Sequence, residues 1–489
     1  MGRERLCYDA RALQRSLSRL FVLGVGIEGG LLAMLRARPG PGRTIPFLTL
    51  FFAVFGLYLF AVRLALAPAG PDGDFGKSAA SPRDSTGLVI LGLAVVFRLT
   101  FLAAPPLLSH DIDRYLWDGR TTLAGGNPYL TTPASRAFVQ TGEADPEHLE
   151  HSDVPTIYPP AAQTLFTAGA ALHLGVYGIK ILLVAADLLA ILALRTLLRA
   201  RGQPAARALI YAWNPLAVTE TAWSGHLEAA ASLFALLAAG AIIQKREGRA
   251  TVALIVGGLL KVFPLFLFVP LLRSIRLRFL LLVPVLLAAA YWPFRAAGWR
   301  LFAGLREYAD RWLGNESLFA VTLAAIVRID PTPWLKAGIT WVRRSVPHTG
   351  ALDGLYVYVY PIDLAKGVCG LVLLAFAAAL WRRRVEPLRG CFLLTCAVLL
   401  LSPTVHPWYF LWLLPWLCLY PSRSFILLTG LASLAYVNLG ASGRETEPYP
   451  WIRFVEYAPF YALLCADWLR ERARGAARLM APVAGSWTG

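Results

Sequence analysis

Residues 86–120 read TGLVILGLAVVFRLTFLAAPPLLSHDIDRYLWDGR. From Thr86 to Ala104 the only charge is Arg98, and an apolar stretch of this length crosses the hydrocarbon core of a bilayer as a single helix. The chain then turns at Pro105-Pro106 and delivers Asp111, Asp113 and Asp118 at the expected membrane surface. Ionised carboxylates avoid low-dielectric surroundings unless they are paired or used. Core packing therefore does not explain them.

Similar apolar runs recur along the 489 residues, of which 57% are hydrophobic and 16% charged, the composition of a polytopic membrane protein. Spans are expected at 16–35, 45–66, 86–104, 177–198, 205–220, 227–243, a broken pair at 250–260 and 262–272, then 279–295, 359–380, 389–403, 407–420, 424–439 and 453–469. Residues 159–173, opened by Pro159-Pro160, are too short for a crossing and read as a re-entrant or interfacial helix. The expected fold is all-α, a membrane helix bundle of about 12–14 spans. It divides into an N-terminal membrane hairpin, 1–80, and a main membrane domain, 81–480, with an outer loop over 105–160. The arginine-rich start lacks a small-residue cleavage pattern, so the first span is expected to be retained. Cys7, Cys369, Cys391, Cys396, Cys418 and Cys465 form no CxxC pair and imply neither a disulfide framework nor a zinc site.

The net charge of +17 reads as membrane topology and not as a nucleic-acid footprint. Placing Arg3, Arg5, Arg11 and Arg15 in the cytoplasm puts the clusters 199–207, 245–249, 273–278, 382–389 and 470–478 on the same side. Arg36, Arg38 and Arg43 are the exception. More than half of the acidic residues then fall at the outer face. The run 143–153 is the ordinary complement of that bias, whereas Asp111, Glu220 and Glu228 lie at span ends and need another explanation.

Five further motifs share this side: Gly126-Asn127-Pro128-Tyr129; Ile157-Tyr158-Pro159-Pro160; Trp213-Asn214-Pro215-Leu216 running to Gly225-His226-Leu227-Glu228; Leu260-Lys261-Val262-Phe263-Pro264; and Ser402-Pro403-Thr404-Val405-His406-Pro407-Trp408-Tyr409. With His110-Asp111-Ile112-Asp113-Arg114-Tyr115, the set resembles membrane glycosyltransferases of the GT-C superfamily that use polyprenyl-phosphate sugars. The nearest are glycosyltransferase family 87 and related bacterial mannosyltransferases. The resemblance implies a GT-C type bundle, an acidic base in the first large outer loop, a lipid-phosphate donor and inverting chemistry. It also implies sugar or acceptor contacts from Tyr115, Asn127, Tyr129 and Tyr158. One departure is that the loop follows a third expected span instead of the first, so residues 1–80 read as an addition. No Gly-rich phosphate loop or Rossmann fingerprint offers a nucleotide site.

Inverting transfer needs a base for the acceptor hydroxyl, while a phosphate leaves without an acid. A helix over 110–123, capped by Ser109 and stopped by Gly125-Gly126, puts Asp111, Tyr115 and Asp118 on one face. Asp113, Trp117 and Arg120 lie on another, about 160° away. Asp111 is the favoured base and Asp113 the alternative; a plain first-turn acid paired with Arg114 or Arg120 is the structural reading.

For the donor phosphate the candidates are Lys261, His406 and Tyr409. Lys261 interrupts an apolar run beside a helix break, and its structural alternative is snorkelling or pairing with Asp187. Arg306 and Arg311 are weaker candidates. Glu220, His226 and Glu228 suit hydroxyl recognition, with Trp223 as a stacking surface, or else form a turn network. No metal or other cofactor is assigned; a divalent ion held by Asp111, His226 and Glu228 is the unfavoured option. The function expected is transfer of a hexose, mannose by the resemblance, from a polyprenyl phosphate to a hydroxyl of a lipid-linked or cell-envelope glycan. The enzyme would be a multi-pass cell-membrane protein with an extracytoplasmic active site. The alternatives are an O-antigen polymerase or ligase and a transporter or flippase.

Overall fold

The computed structural model describes residues 2–38, 43–66, 85–135, 149, 151–345, 350–438 and 450–480. The acids Glu143, Asp145, Glu147, Glu150, Glu445 and Glu447 of the outer-face reading lie outside the described residues. Helices make up nearly all regular structure there, as the apolar runs require: in lipid, backbone polar groups are satisfied within the segment.

The first helices in chain order are α1 (Gly2–Ala37), α2 (Thr44–Leu66), α3 (Ser85–Leu102), α4 (Asp111–Leu123), α5 (Pro160–Ala171) and α6 (Val176–Ala200). Among the described residues six helices are long and apolar enough to cross a bilayer: Leu17–Ala37, Thr44–Leu66, Ser85–Leu102, Val176–Ala200, Leu277–Arg311 and Pro361–Arg382. Counting two bent pairs as one span each raises this to eight. The other apolar runs fold as shorter or broken helices, including Phe263–Ser274, Pro387–Leu401 and Arg423–Val437. Proline accounts for much of the breakage, because it removes a backbone donor and clashes with the preceding turn. After Trp213 the chain is recapped by Asn214, whose side chain accepts from the Leu216 N–H at 2.9 Å. A five-residue π-helical turn, Thr219–Trp223, follows, and the path bends by 117° into Glu228–Ile243. The helices Leu318–Ile329 and Thr332–Ser345 occupy a stretch where no span was expected.

Several charged and polar groups inside the bundle are paired. Arg98 Nε lies 2.6 Å from Asp187, which also accepts from Tyr211; Lys180 donates to the Phe101 carbonyl at 2.9 Å. Asp187 is thus taken by Arg98 and not by Lys261. The Tyr58 hydroxyl of α2 donates to the Ile210 carbonyl at 2.8 Å and accepts from Asn214 at 3.2 Å, so the N-terminal hairpin is keyed into the core.

The basic loops meet one another. Arg201 pairs with Glu386 at 2.8 Å, Gln203 donates to the Leu419 carbonyl, and Arg273 lies over Trp381. Glu228 and Lys261 stand at the far ends of the helices Glu228–Ile243 and Glu247–Leu260. The acidic motifs and the basic loops thus lie at opposite ends of the bundle.

Candidate active site

Helix α4 begins at Asp111, one residue later than expected, and Ser109 Oγ accepts from the Asp111 N–H at 3.2 Å. It ends on Gly125 at φ 81°, with the Gly126 N–H bonded back to the Thr121 carbonyl at 2.8 Å, a left-handed glycine stop. The wheel then separates the acids as their spacing requires. Asp111 lines a polar pocket together with Arg114, Tyr158, Lys261, His406 and Tyr409. Asp113 is turned toward His110, 3.3 Å away, and does not line that pocket.

Asp118 is buried and occupied. It accepts from Arg114 Nε at 2.9 Å, from Gln163 at 3.1 Å and from the Thr156 hydroxyl. Arg114 also donates to the Val154 carbonyl at 3.0 Å. These bonds staple segment 154–158 onto α4 and bring the Tyr158 hydroxyl to 3.3 Å from Asp111 Oδ2. Tyr129 supports the same segment by donating to the Tyr158 carbonyl at 2.9 Å, and Asn127 Oδ1 closes the turn below it by accepting from the Tyr129 N–H. Neither residue lines the pocket. Tyr115 stacks on Phe166 with ring centroids 4.3 Å apart and is fully buried, so it packs behind Tyr158. Trp223 stacks on Phe101 at 4.5 Å inside the core and offers no face to a sugar.

The π-helical turn and Gly225, at φ 80°, aim His226 inward; a side chain on Gly225 would also strike Ile112. His226 Nδ1 is 2.8 Å from Glu220, and Nε2 is 3.9 Å from Asp111. Its ring stacks on Trp408 at 3.9 Å. Glu220 also accepts from Tyr436. Burial opposes the charged imidazole of His226, but Glu220, Asp111 and Glu228 outweigh it and the pKa is raised. His226 thus stands behind Asp111, between it and Glu220, where it can orient that carboxylate.

Lys261 terminates its helix in an extended conformation, at the break expected before Pro264. Its ammonium lies 3.0 Å from buried Glu228 and 5.4 Å from the ring centres of Tyr158 and Tyr409. On the facing wall His406 stacks on Trp408 at 4.4 Å, and the Tyr409 hydroxyl bonds that of Tyr308. Burial pushes the His406 pKa down to about 4, with Asp111 opposing the shift and Lys261 and His226 reinforcing it. At neutral pH it offers a hydrogen bond and no charge. The His406 turn is held by a parallel bridge between Gly314 and Thr404, in which the Val405 N–H donates to the Gly314 carbonyl at 2.9 Å.

The motif reading missed Tyr308, Trp312 and His151, which complete the wall. Tyr308 and its neighbours belong to the amphipathic helix Ala303–Arg311, whose only signal was its polarity pattern. Arg306 and Arg311 of the same helix do not line the pocket; they pair with Asp310 and with Glu307 and Asp153. Among the described residues no three His, Cys, Asp or Glu side chains are grouped to hold a metal ion, and Glu228 of the candidate trio is engaged by Lys261.

The polar pocket continues into an apolar cavity of about 450 Å³, and both share Ile157, Tyr158, Lys261, Tyr308, Trp312 and Tyr409. Val262, Phe263, Phe266, Leu373, Val398 and Leu401 wall the apolar part.

A multi-pass helical bundle with a carboxylate pocket opening onto an apolar cavity defines a membrane enzyme that handles a polar group at the lipid boundary. Residues 35–277 match the model of the α-(1→6)-mannopyranosyltransferase N-terminal domain, and residues 358–467 match the model of the MptB C-terminal domain. Together the matches take in well over half of the chain, which belongs to this mannosyltransferase family. The first match begins in the last turn of α1 and takes in the whole of α2. No curated protein and no solved structure matches the chain. The protein is therefore a membrane mannosyltransferase acting between a sugar donor and a glycan acceptor, and the transporter reading is set aside.

Proposed function

We propose that the enzyme transfers mannose from a polyprenyl phosphate to a hydroxyl of a lipid-linked or cell-envelope glycan, on the extracytoplasmic face, with inversion at the anomeric carbon. The observation that carries this reading is the continuity of the two cavities across Lys261: one suits a sugar phosphate, the other an isoprenoid chain. A nucleotide donor would leave the apolar cavity without a role. The family name supports an α-(1→6) linkage, and an α product formed by inversion calls for a β-linked donor.

Asp111 takes the proton from the acceptor hydroxyl as its oxygen bonds to the anomeric carbon. The bond from that carbon to the phosphate oxygen breaks, and its electron pair leaves on the phosphate. Lys261 offsets the growing phosphate charge, with neutral His406 and Tyr409 as hydrogen-bond partners. Tyr158 and His226 position Asp111, and Glu220 positions His226. Asp113 faces His110 and is left out of this assignment.

The test uses purified protein, a short-chain polyprenyl β-phosphomannose and oligomannoside acceptors. Transfer is expected from the lipid donor and not from a nucleotide-mannose; transfer from the nucleotide donor alone would overturn the proposal.

A further inference from the structure

A second cavity, of about 890 Å³, lies away from the site between α6, the helices Glu228–Ile243 and Glu247–Leu260, and the segment around Phe279. Its position follows from the helices themselves. Glu228–Ile243 carries Glu228 at its site end, and Gly240 and Ala241 near its other end line this cavity. Sixteen residues rise about 24 Å, close to the hydrocarbon thickness of a bilayer. The cavity therefore opens at the opposite membrane surface from Asp111.

Its walls are apolar, with Leu197, Phe234, Leu237, Val252 and Phe279 among them, whereas Arg246, Arg249 and Arg278 line it at the end where the basic loops gather. All three arginines are exposed. No ion pair holds Arg246 or Arg249 among the described residues. The nearby acid Glu247 is engaged by Arg276, through Nε at 2.9 Å and through the backbone N–H at 2.7 Å, and its charge also acts on Arg278; one acid among these four arginines leaves the group cationic. Gly240 faces open space, with nothing within 4 Å of where a Cβ would stand. An apolar trough ending in several cations at a membrane surface complements one kind of molecule, an anion carrying hydrocarbon chains.

We infer that this cavity is a binding site for an anionic phospholipid of the leaflet opposite the active site, its chains in the trough and its phosphate among Arg246, Arg249 and Arg278. The polyprenyl donor is a poorer occupant, because its phosphate must reach Asp111 at the other surface. The site is independent of the catalytic assignment and needs only that the bundle be embedded in a membrane.

Native mass spectrometry of the full-length protein tests this, after incubation with equimolar phosphatidylglycerol and phosphatidylcholine of matched chains. The wild type is expected to keep one phosphatidylglycerol in preference to phosphatidylcholine. The triple variant R246Q/R249Q/R278Q should weaken that retention on the order of a hundredfold, at about fivefold for each cation. Gly240→Phe fills the trough while leaving the arginines in place, and should also release the lipid. Elution as a single species and an unchanged melting temperature without added lipid certify the fold of each variant, and Gly240→Phe decides alone if the triple variant unfolds. Equal retention of the two lipids, or retention unchanged in the variants, would overturn the inference. Loss in the triple variant but not in Gly240→Phe would reduce the contact to a surface ion pair and overturn the trough.

Discussion

Asp111 and Asp113 sit two residues apart in one helix, and their different surroundings separate their expected behaviour. Asp111 is in the pocket, 36% exposed, with Tyr158 and His226 on it; Asp113 is turned to His110. Asp111→Asn is expected to lower kcat by about 10² to 10⁴-fold, the usual worth of a positioned base, with donor KM little changed, while Asp113→Asn keeps most of its activity. Full turnover by Asp111→Asn would remove the base assignment. At Lys261 the design of the variant matters. Lys261→Met alone leaves Glu228 charged and buried, which destabilises strongly for reasons unrelated to the donor. The double variant Lys261→Met/Glu228→Gln removes both charges, and should raise donor KM about tenfold or more, the worth of a lost charged contact, without shifting acceptor KM. His406 gives a readout in pH. Its folded pKa of about 4 lies below the ordinary 6.5, so between these values the unfolded chain holds more protons and stability falls as pH falls. Melting temperature followed from pH 7 to 4 should show this loss, and His406→Gln should flatten it.

At the scale of elements, the site depends on how closely the helix Ala303–Arg311 rides over segment 154–158. Gly304 makes the approach possible, since a Cβ there would run into the Pro155 and Thr156 carbonyl oxygens. Gly304→Val should push Tyr308 and Trp312 off the pocket wall and cost about 1–3 kcal/mol, as overpacking does. A lowered melting temperature together with lowered transfer is expected; an unaltered enzyme would show that the wall is not set by this contact. The break at Lys261 was legible because a charged residue followed closely by proline in an apolar run has only a few local solutions, whereas the break at Trp213-Asn214-Pro215 falls inside the single span expected over 205–220. The Gly304 contact was not legible. It joins residues about 150 positions apart, and a glycine in an amphipathic stretch carries no mark of what passes over it. Tyr308 and Trp312 stayed hidden for the same reason, as did the staple that uses up Asp118, which shares a helix face with Asp111 and differs only in what packs opposite.

For the whole molecule, charge patterning announced a bundle with acids at one end and arginines at the other, and the structure gathers the two sets so. The number of crossings was less legible, because hydropathy records that a segment is apolar and not whether it runs as one rod. Residues 205–223 are apolar enough for a span yet fold as four short pieces before a sharp bend. Which end faces the cytoplasm is carried by the arginines alone, and this can be measured directly. In a Cys7→Ser/Cys465→Ser background the remaining thiols, Cys369, Cys391, Cys396 and Cys418, are buried, so a single new cysteine reports its own side. Arg306→Cys, at a residue 79% exposed beside the pocket, should react with a membrane-impermeant maleimide on intact cells. Arg383→Cys, exposed among the basic loops, should react only after the membrane is opened. The opposite pattern would place Asp111 on the cytoplasmic face, where nucleotide sugars are available, and would remove the reason for a donor that carries its sugar across on a lipid.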